Sequence, residues 1–151
     1  MCHAVPSIGM LSHIGTLILY ANRPDEMKLV TDRVEQENIP IEKAEEEQFG
    51  AGHPEIGAYL LGLWGFPAPV IQAVAYHHRP MDLPHKEMNA VTAIYAAQHL
   101  TREIAIIDAG GAVESDIDLA YLEQIGKASR IEEWTSIARI VSGKYKQLTN
   151  D

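Results

Sequence analysis

An all-α fold is what this sequence predicts, and three observations carry the prediction. Apolar residues recur at helical spacing, prolines and glycines stand where helices would start and stop, and no stretch alternates as a strand would. At 151 residues, with 46% hydrophobic and 22% charged side chains, the chain reads as one ordinary globular domain, long enough to bury a sizeable core. A formal net charge of -9 argues against nucleic acid and against an anionic membrane as partners, because both reward Lys and Arg. The single cysteine, Cys2, excludes an internal disulfide and fits a reducing cytoplasm.

Met1 to Ala21 is apolar, but it lacks a basic start and carries Pro6, Ser7, Ser12 and His13. It reads as a buried helix from about Ser7 to Tyr20 rather than a targeting or membrane segment. Ile8, Leu11, Ile14, Leu17, Ile18 and Leu19 occupy more than one face, which would make this helix central. Asn22-Arg23-Pro24-Asp25 is a turn, with Asp25 as N-cap of a helix from Glu26 to about Glu37 that uses Met27, Val30 and Val34. Pro40 opens a short helix through Glu42 to Gln48, and its Glu45-Glu46-Glu47 run reads as a solvated face.

The stretch from Phe49 to Pro80 has the most explicit punctuation. Pro54 suits a first helical turn, Glu55 offsets the positive end of the helix dipole, and Gly65 with Pro67 stops what Pro54 started. Ile56, Tyr59, Leu60, Leu63 and Trp64 form one apolar stripe, which predicts that they pack, Trp64 included. A second helix runs from about Pro67 to His78, closed by Arg79-Pro80, with Val70, Ile71, Val74 and Ala75 on its stripe. One more turn places His77 and His78 on that stripe, facing the core, while His53 stands where the loop meets the first helix. Three histidines thus bracket one helical hairpin.

Met81 to Pro84 is a loop, and Lys86 to Arg102 predicts a long helix with Met88, Val91, Tyr95 and Gln98 on one face. Ile104 to Ile117, with Gly110-Gly111 and three acids, reads as a loop. Asp118 can cap a helix through Leu119 and Leu122 that ends at Gly126. The last helix carries Ile131, Trp134, Ile137, Ala138, Val141 and Tyr145 on one side.

The order Leu11-Ser12-His13-Ile14-Gly15, then Gly50, His53, Gly57-Ala58, Leu60-Leu61, Trp64-Gly65 and Pro67, then His77-His78 and Pro80, resembles the HDOD domain, a branch of the HD-type phosphohydrolase superfamily found in bacterial signalling proteins. The resemblance implies an HD-like helical bundle over residues 1–151, matched to roughly the second half of the family's domain, the helices before the Leu-His-Asp-Ile-Gly-like segment being absent here. The stretch 119–151 would form its helical C-terminal extension, similar to the segment found after the domain in response regulators.

In catalytic HD enzymes an adjacent His-Asp pair, further histidines and a later carboxylate hold a divalent metal, whose bound water attacks phosphorus. The positions that match His-Asp are Ser12 and His13, and the position matched to the later aspartate is Gln98. A hydroxyl and an amide are poor substitutes for two anionic oxygen ligands. The resemblance therefore implies a vestigial binding pocket at Ser12, His13, His53, His77, His78 and Gln98, with no catalytic residue, metal or cofactor.

Two readings of the histidines stay open. His53 is either a helix-start residue whose ring bonds the backbone or a pocket residue, and His77 and His78 are either satisfied core histidines or ligands. His13 could replace the lost carboxylate in an all-histidine site with His53 and His77 or His78. His3, His85 and His99 have no supporting context. The expected function is a non-catalytic, cytoplasmic module of bacterial signal transduction that binds a protein or small ligand, with a second copy of the chain as one expected partner. The alternative is a metal-dependent phosphohydrolase acting on nucleotides or cyclic dinucleotides through His13, His53, His77 and His78.

Overall fold

The computed structural model describes residues 5–113 and 115–149. Met1, Cys2, His3 and Glu114 lie outside the described residues, as does the side chain of Tyr145. Helices and short 3-10 turns make up the regular structure, with no strand among the described residues, so the class is all-α. No helix there is long and apolar enough to cross a membrane. The chain divides into two compact units, Met1–His78 and Arg79–Asp151.

The first unit contains α1 (Val5–Leu11), α2 (Ile14–Asn22), α3 (Pro24–Glu37), α4 (Ile41–Phe49), α5 (His53–Leu63) and α6 (Ala68–Ala75). The single helix expected from Ser7 to Tyr20 is thus two. The Ser12 hydroxyl donates to the Gly9 carbonyl at 2.7 Å, and His13 leaves helical geometry with φ -103° and ψ 15°. Nor is this segment apolar-packed all round: Ile8, Gly15 and Leu19 are buried, whereas Met10 and Leu17 face solvent. Arg23 rather than Asp25 takes the N-cap position of α3, because Pro24 supplies the first helical residue. Leu19, Met27, Val30 and Ala44 form the buried cluster, with Val34, Ile39, Phe49 and Ile56 packed around it.

The stripe expected to pack on α5 is largely wrong in its face. Tyr59, Leu63 and Trp64 are 71%, 67% and 58% exposed, while His53, Pro54, Gly57, Ala58 and Leu61 are buried. The helix turns its small residues inward because they let α2 and α6 approach closely. A Cβ added to Gly57 would stand 3.1 Å from Ile14 Cγ2 of α2 and 3.2 Å from Val74 Cγ1 of α6. At Gly15 the approach is closer still, since a Cβ there would lie 2.1 Å from the His53 carbonyl oxygen. The second helix of the hairpin also ends earlier than expected, at Ala75, so His77 and His78 come after it rather than belong to it.

The second unit opens with a 3-10 turn at Pro80–Asp82, then α7 (Ala90–Asp108), α8 (Leu119–Gln124), a 3-10 turn at Ala128–Arg130 and α9 (Ile131–Thr149). Compared with the expected Lys86 to Arg102, α7 starts later and runs on through Ile104, where the sequence predicts a loop. Asn89 sets the start by accepting the N–H groups of Val91 and Thr92 at 2.9 and 3.3 Å. Burial of Leu100 and Ile104 continues the helical stripe past Arg102. Asp118 caps α8 as expected, accepting the Tyr121 N–H at 2.9 Å, and Gly126 stands just beyond that helix with φ +65°. The core here is Tyr95, Leu100, Ile117, Tyr121 and Leu122, with Trp134 and Ala138 of α9 packed against it. Ile137 and Val141, expected on the same packed side, are exposed.

Gly15→Ala should destabilise the protein by about 3 kcal/mol, because backbone on α5 rather than a flexible side chain blocks the new methyl group. Gly9→Ala is the matched control: nothing lies within 4 Å of the added Cβ, so helix propensity should raise stability by about 0.5–1 kcal/mol. Denaturant unfolding of the two variants checks both, and equal stability would discount the close α2–α5 approach.

Candidate functional site

The helix break and helix ends of the first unit bring four histidines together. His13 stands at the break before α2, His53 is the first residue of α5, and His77 and His78 come just after α6. The His13 and His53 rings stack with centroids 5.3 Å apart, and His77 lies 5.4 Å from His13 and 5.3 Å from His53. His78 is 4.1 Å from His77 and 5.1 Å from His53. His53 and His77 are buried, His78 is half-buried, and His13 is exposed at the edge of the cluster. The close approach of Gly15 to the His53 carbonyl explains why His13, two residues earlier, reaches the start of α5.

Hydrogen bonds orient the two buried rings. Nδ1–H of His53 donates to Glu45 Oε2 at 2.6 Å, and the same oxygen accepts the His53 backbone N–H at 2.8 Å. Nδ1–H of His77 donates to the Val74 carbonyl at 2.7 Å, which leaves Nε2 as the acceptor nitrogen of that ring. His77 Nε2 is buried without a hydrogen-bond partner. His78 Nε2 and His53 Nε2 are 3.2 Å apart. Burial pushes the His77 imidazole down to about 4, partly countered by the Val74 carbonyl and reinforced by His53 and His13. His13 is exposed as a residue, but partial desolvation where its ring meets the cluster also lowers it, with His53 adding to the effect and Glu45 opposing it.

Glu45 corrects the sequence reading most sharply. The acidic run predicts a solvated face, and Glu46 and Glu47 are exposed, but Glu45 is fully buried. A signal for this exists in the sequence: Ile41, Ala44, Glu45 and Phe49 fall at i, i+3, i+4 and i+8, so Glu45 sits on the apolar stripe of α4. A carboxylate on a buried stripe needs partners, and His53 supplies two donors. The His53 ring therefore bonds a carboxylate, not the backbone.

The remaining expected pocket residues behave differently. Ser12 is buried and its hydroxyl turns back to the Gly9 carbonyl. Gln98 lies on α7, in the second unit. His99, which has no context in the sequence, pairs with Asp116 at 2.6 Å, and its ring lies 4.3 Å from that of Tyr95.

His13, His53 and His77 each place one ring nitrogen within 4.8 Å of the others, and no carboxylate oxygen belongs to that group among the described residues. The arrangement offers imidazole nitrogens at its centre and holds its one carboxylate behind His53. Glu45→Ala should cost about 3 kcal/mol of stability, since it leaves two buried donors of His53 without an acceptor. Glu45→Gln should recover part of that loss by restoring an acceptor oxygen. Thermal and denaturant unfolding distinguish the two, and an unchanged Glu45→Ala variant would mean the pair contributes little.

Comparison with known proteins gives the chain a family and a fold neighbour. The model of the HDOD domain matches residues 4–80, which takes in all four clustered histidines. An uncharacterized protein of Treponema pallidum (strain Nichols) is 32% identical over 77 residues, a match that covers 51% of this chain and 14% of that protein. The crystal structure of an HDOD domain protein with unknown function from Geobacter sulfurreducens superposes with a TM-score of 0.63 at 21% identity. That superposition covers 97% of this chain and 50% of the solved one, so this chain spans half the length of that neighbour and shares its fold. With its matched region taking in just over half of the sequence, the protein belongs to the HDOD domain family.

Proposed function

We propose that this chain is a non-catalytic regulatory module that works by binding, and that the histidine cluster of its first unit is what remains of a phosphohydrolase site. One observation carries the reading: the atoms that converge in the cluster are imidazole nitrogens, with no carboxylate oxygen among them in the described residues. Phosphoryl transfer by metal-activated water relies on anionic ligands to hold hard cations and often on two metals to clamp the attacking and leaving oxygens. Here Glu45 is turned to the far side of His53, and the two positions that resemblance assigns to carboxylates are His13 and Gln98.

The physiological setting we infer is cytoplasmic bacterial signalling, with the chain as an output element of the kind found downstream of a phosphorylated receiver. Its partner on this reading is a signalling protein, a small ligand or a second copy of the chain. Tyr59 and Leu63 on the exposed face of α5, with Trp64 exposed just beyond its end, offer the apolar and aromatic contact area that protein partners use.

The competing reading, a metal-dependent phosphohydrolase using His13, His53, His77 and His78, is favoured by the convergence of the four rings. Assays with manganese, iron or zinc and with nucleotide and cyclic dinucleotide substrates decide between them. The expected result is no turnover above the metal-only background. Phosphoester hydrolysis that disappears in His53→Ala while helicity is retained would overturn the non-catalytic reading. Sedimentation across concentration tests the partner: if a second copy binds through α5, Leu63→Ser should shift the chain toward monomer, and a monomer at high concentration in the unsubstituted protein removes that partner.

A further inference from the structure

We infer that His13, His53 and His77 form a three-nitrogen site for a single borderline divalent ion of the zinc, cobalt or nickel class. The inference deepens the binding reading above and rests on the same histidine cluster. It starts from the mutual placement of the three ring nitrogens, within 4.8 Å of one another. A tetrahedral ion with bonds of about 2.1 Å to imidazole holds its nitrogens about 3.4 Å apart, so the cluster must contract by about 1 Å or more. His13, placed between two helices, is the one ring of the three that is exposed rather than buried, so the contraction falls most readily on it.

Three further features fit an ion rather than a dry cluster of core histidines. The His77 Nε2 lone pair is buried and has no hydrogen-bond partner, a cost that coordination would remove. Both buried rings have their other nitrogen occupied, His53 by the Glu45 carboxylate and His77 by the Val74 carbonyl. Such outer bonds fix the tautomer of metal-binding histidines, orient the ring and raise its basicity. Glu45 is fully buried with Oε1 unpaired, and a dication across the His53 ring supplies positive charge that the rest of the described surroundings provide only as N–H donors. His78 shares the His53 Nε2 position at 3.2 Å, so ion binding takes over a lone pair that His78 otherwise contacts.

The ligand set also selects the ion. Imidazole nitrogens suit zinc, cobalt, nickel and copper, whereas magnesium and calcium require oxygen ligands that this group lacks. The site is consequently distinct in ligand chemistry from one built around carboxylates.

The test uses the full chain, stripped with chelator and titrated separately with zinc, cobalt and magnesium chloride. Calorimetry should give one zinc per chain, cobalt should produce the intense visible absorption of a tetrahedral nitrogen site, and magnesium should not bind. His13→Ala, at an exposed position, should keep the far-UV spectrum and weaken zinc binding about 100-fold or more, the upper range of what even outer-shell substitutions cost. His77→Gln should do the same. Failure to retain zinc or cobalt overturns the inference, as does binding that His13→Ala leaves unchanged, and either result leaves the non-catalytic reading standing. Phosphoester turnover by the zinc-loaded chain has the opposite meaning, since it keeps the ion site and removes the non-catalytic reading.

Discussion

The first unit depends on one close approach, that of α2 to α5 at Gly15. With a glycine there the two backbones meet at a distance no side chain allows, since a Cβ would fall 2.1 Å from the His53 carbonyl oxygen. Gly57 repeats the device on the facing helix, where a Cβ would crowd both α2 and α6. Because Gly15 lies two residues after His13, and its contact is His53 itself, the same approach that closes the core also assembles the stacked pair of rings. Helix packing and the histidine cluster are therefore one construction.

Polarity inside that construction is handled by orientation. A buried imidazole needs its N–H satisfied and leaves one lone pair over. At His53 and His77 the N–H groups point outward from the cluster, to Glu45 and to the Val74 carbonyl, and the remaining nitrogens are left on the side where the other rings lie. Glu45 is the organising charge. Its Oε2 ties α4 to the first residue of α5 through both backbone and ring, so the start of α5 is held by a side chain from the preceding helix. Glu55 adds a second hold on the same turn, accepting the Gly52 N–H at 3.1 Å.

The second unit solves a comparable problem with hydroxyls in place of imidazoles. Tyr121 is fully buried, and its hydroxyl meets Thr92 Oγ1 at 2.6 Å. Tyr95 accepts the Asp118 N–H at 2.7 Å, fixing the entry to α8 from the long helix α7. Both tyrosines contribute apolar rings to the core while their polar ends stay bonded.

The helical class, most helix starts and the histidines that cluster are legible in the residues alone, because prolines, glycines and N-cap side chains act through local backbone geometry. Asp118 and Pro54 are examples, each within a turn of where the structure has it. Faces are harder to read. The large apolar residues of α5 predict packing, but Gly57 and Ala58 take that side because a close helix contact excludes bulk, a fact about the neighbouring helix. Glu45 reads as solvated because its neighbours in sequence are acidic, although its stripe is apolar. What the sequence by itself determined was the local grammar of helices and the identity of the four rings. Only the tertiary structure decided which of them are buried and which nitrogen each turns inward, because those choices depend on donors and acceptors supplied by other helices.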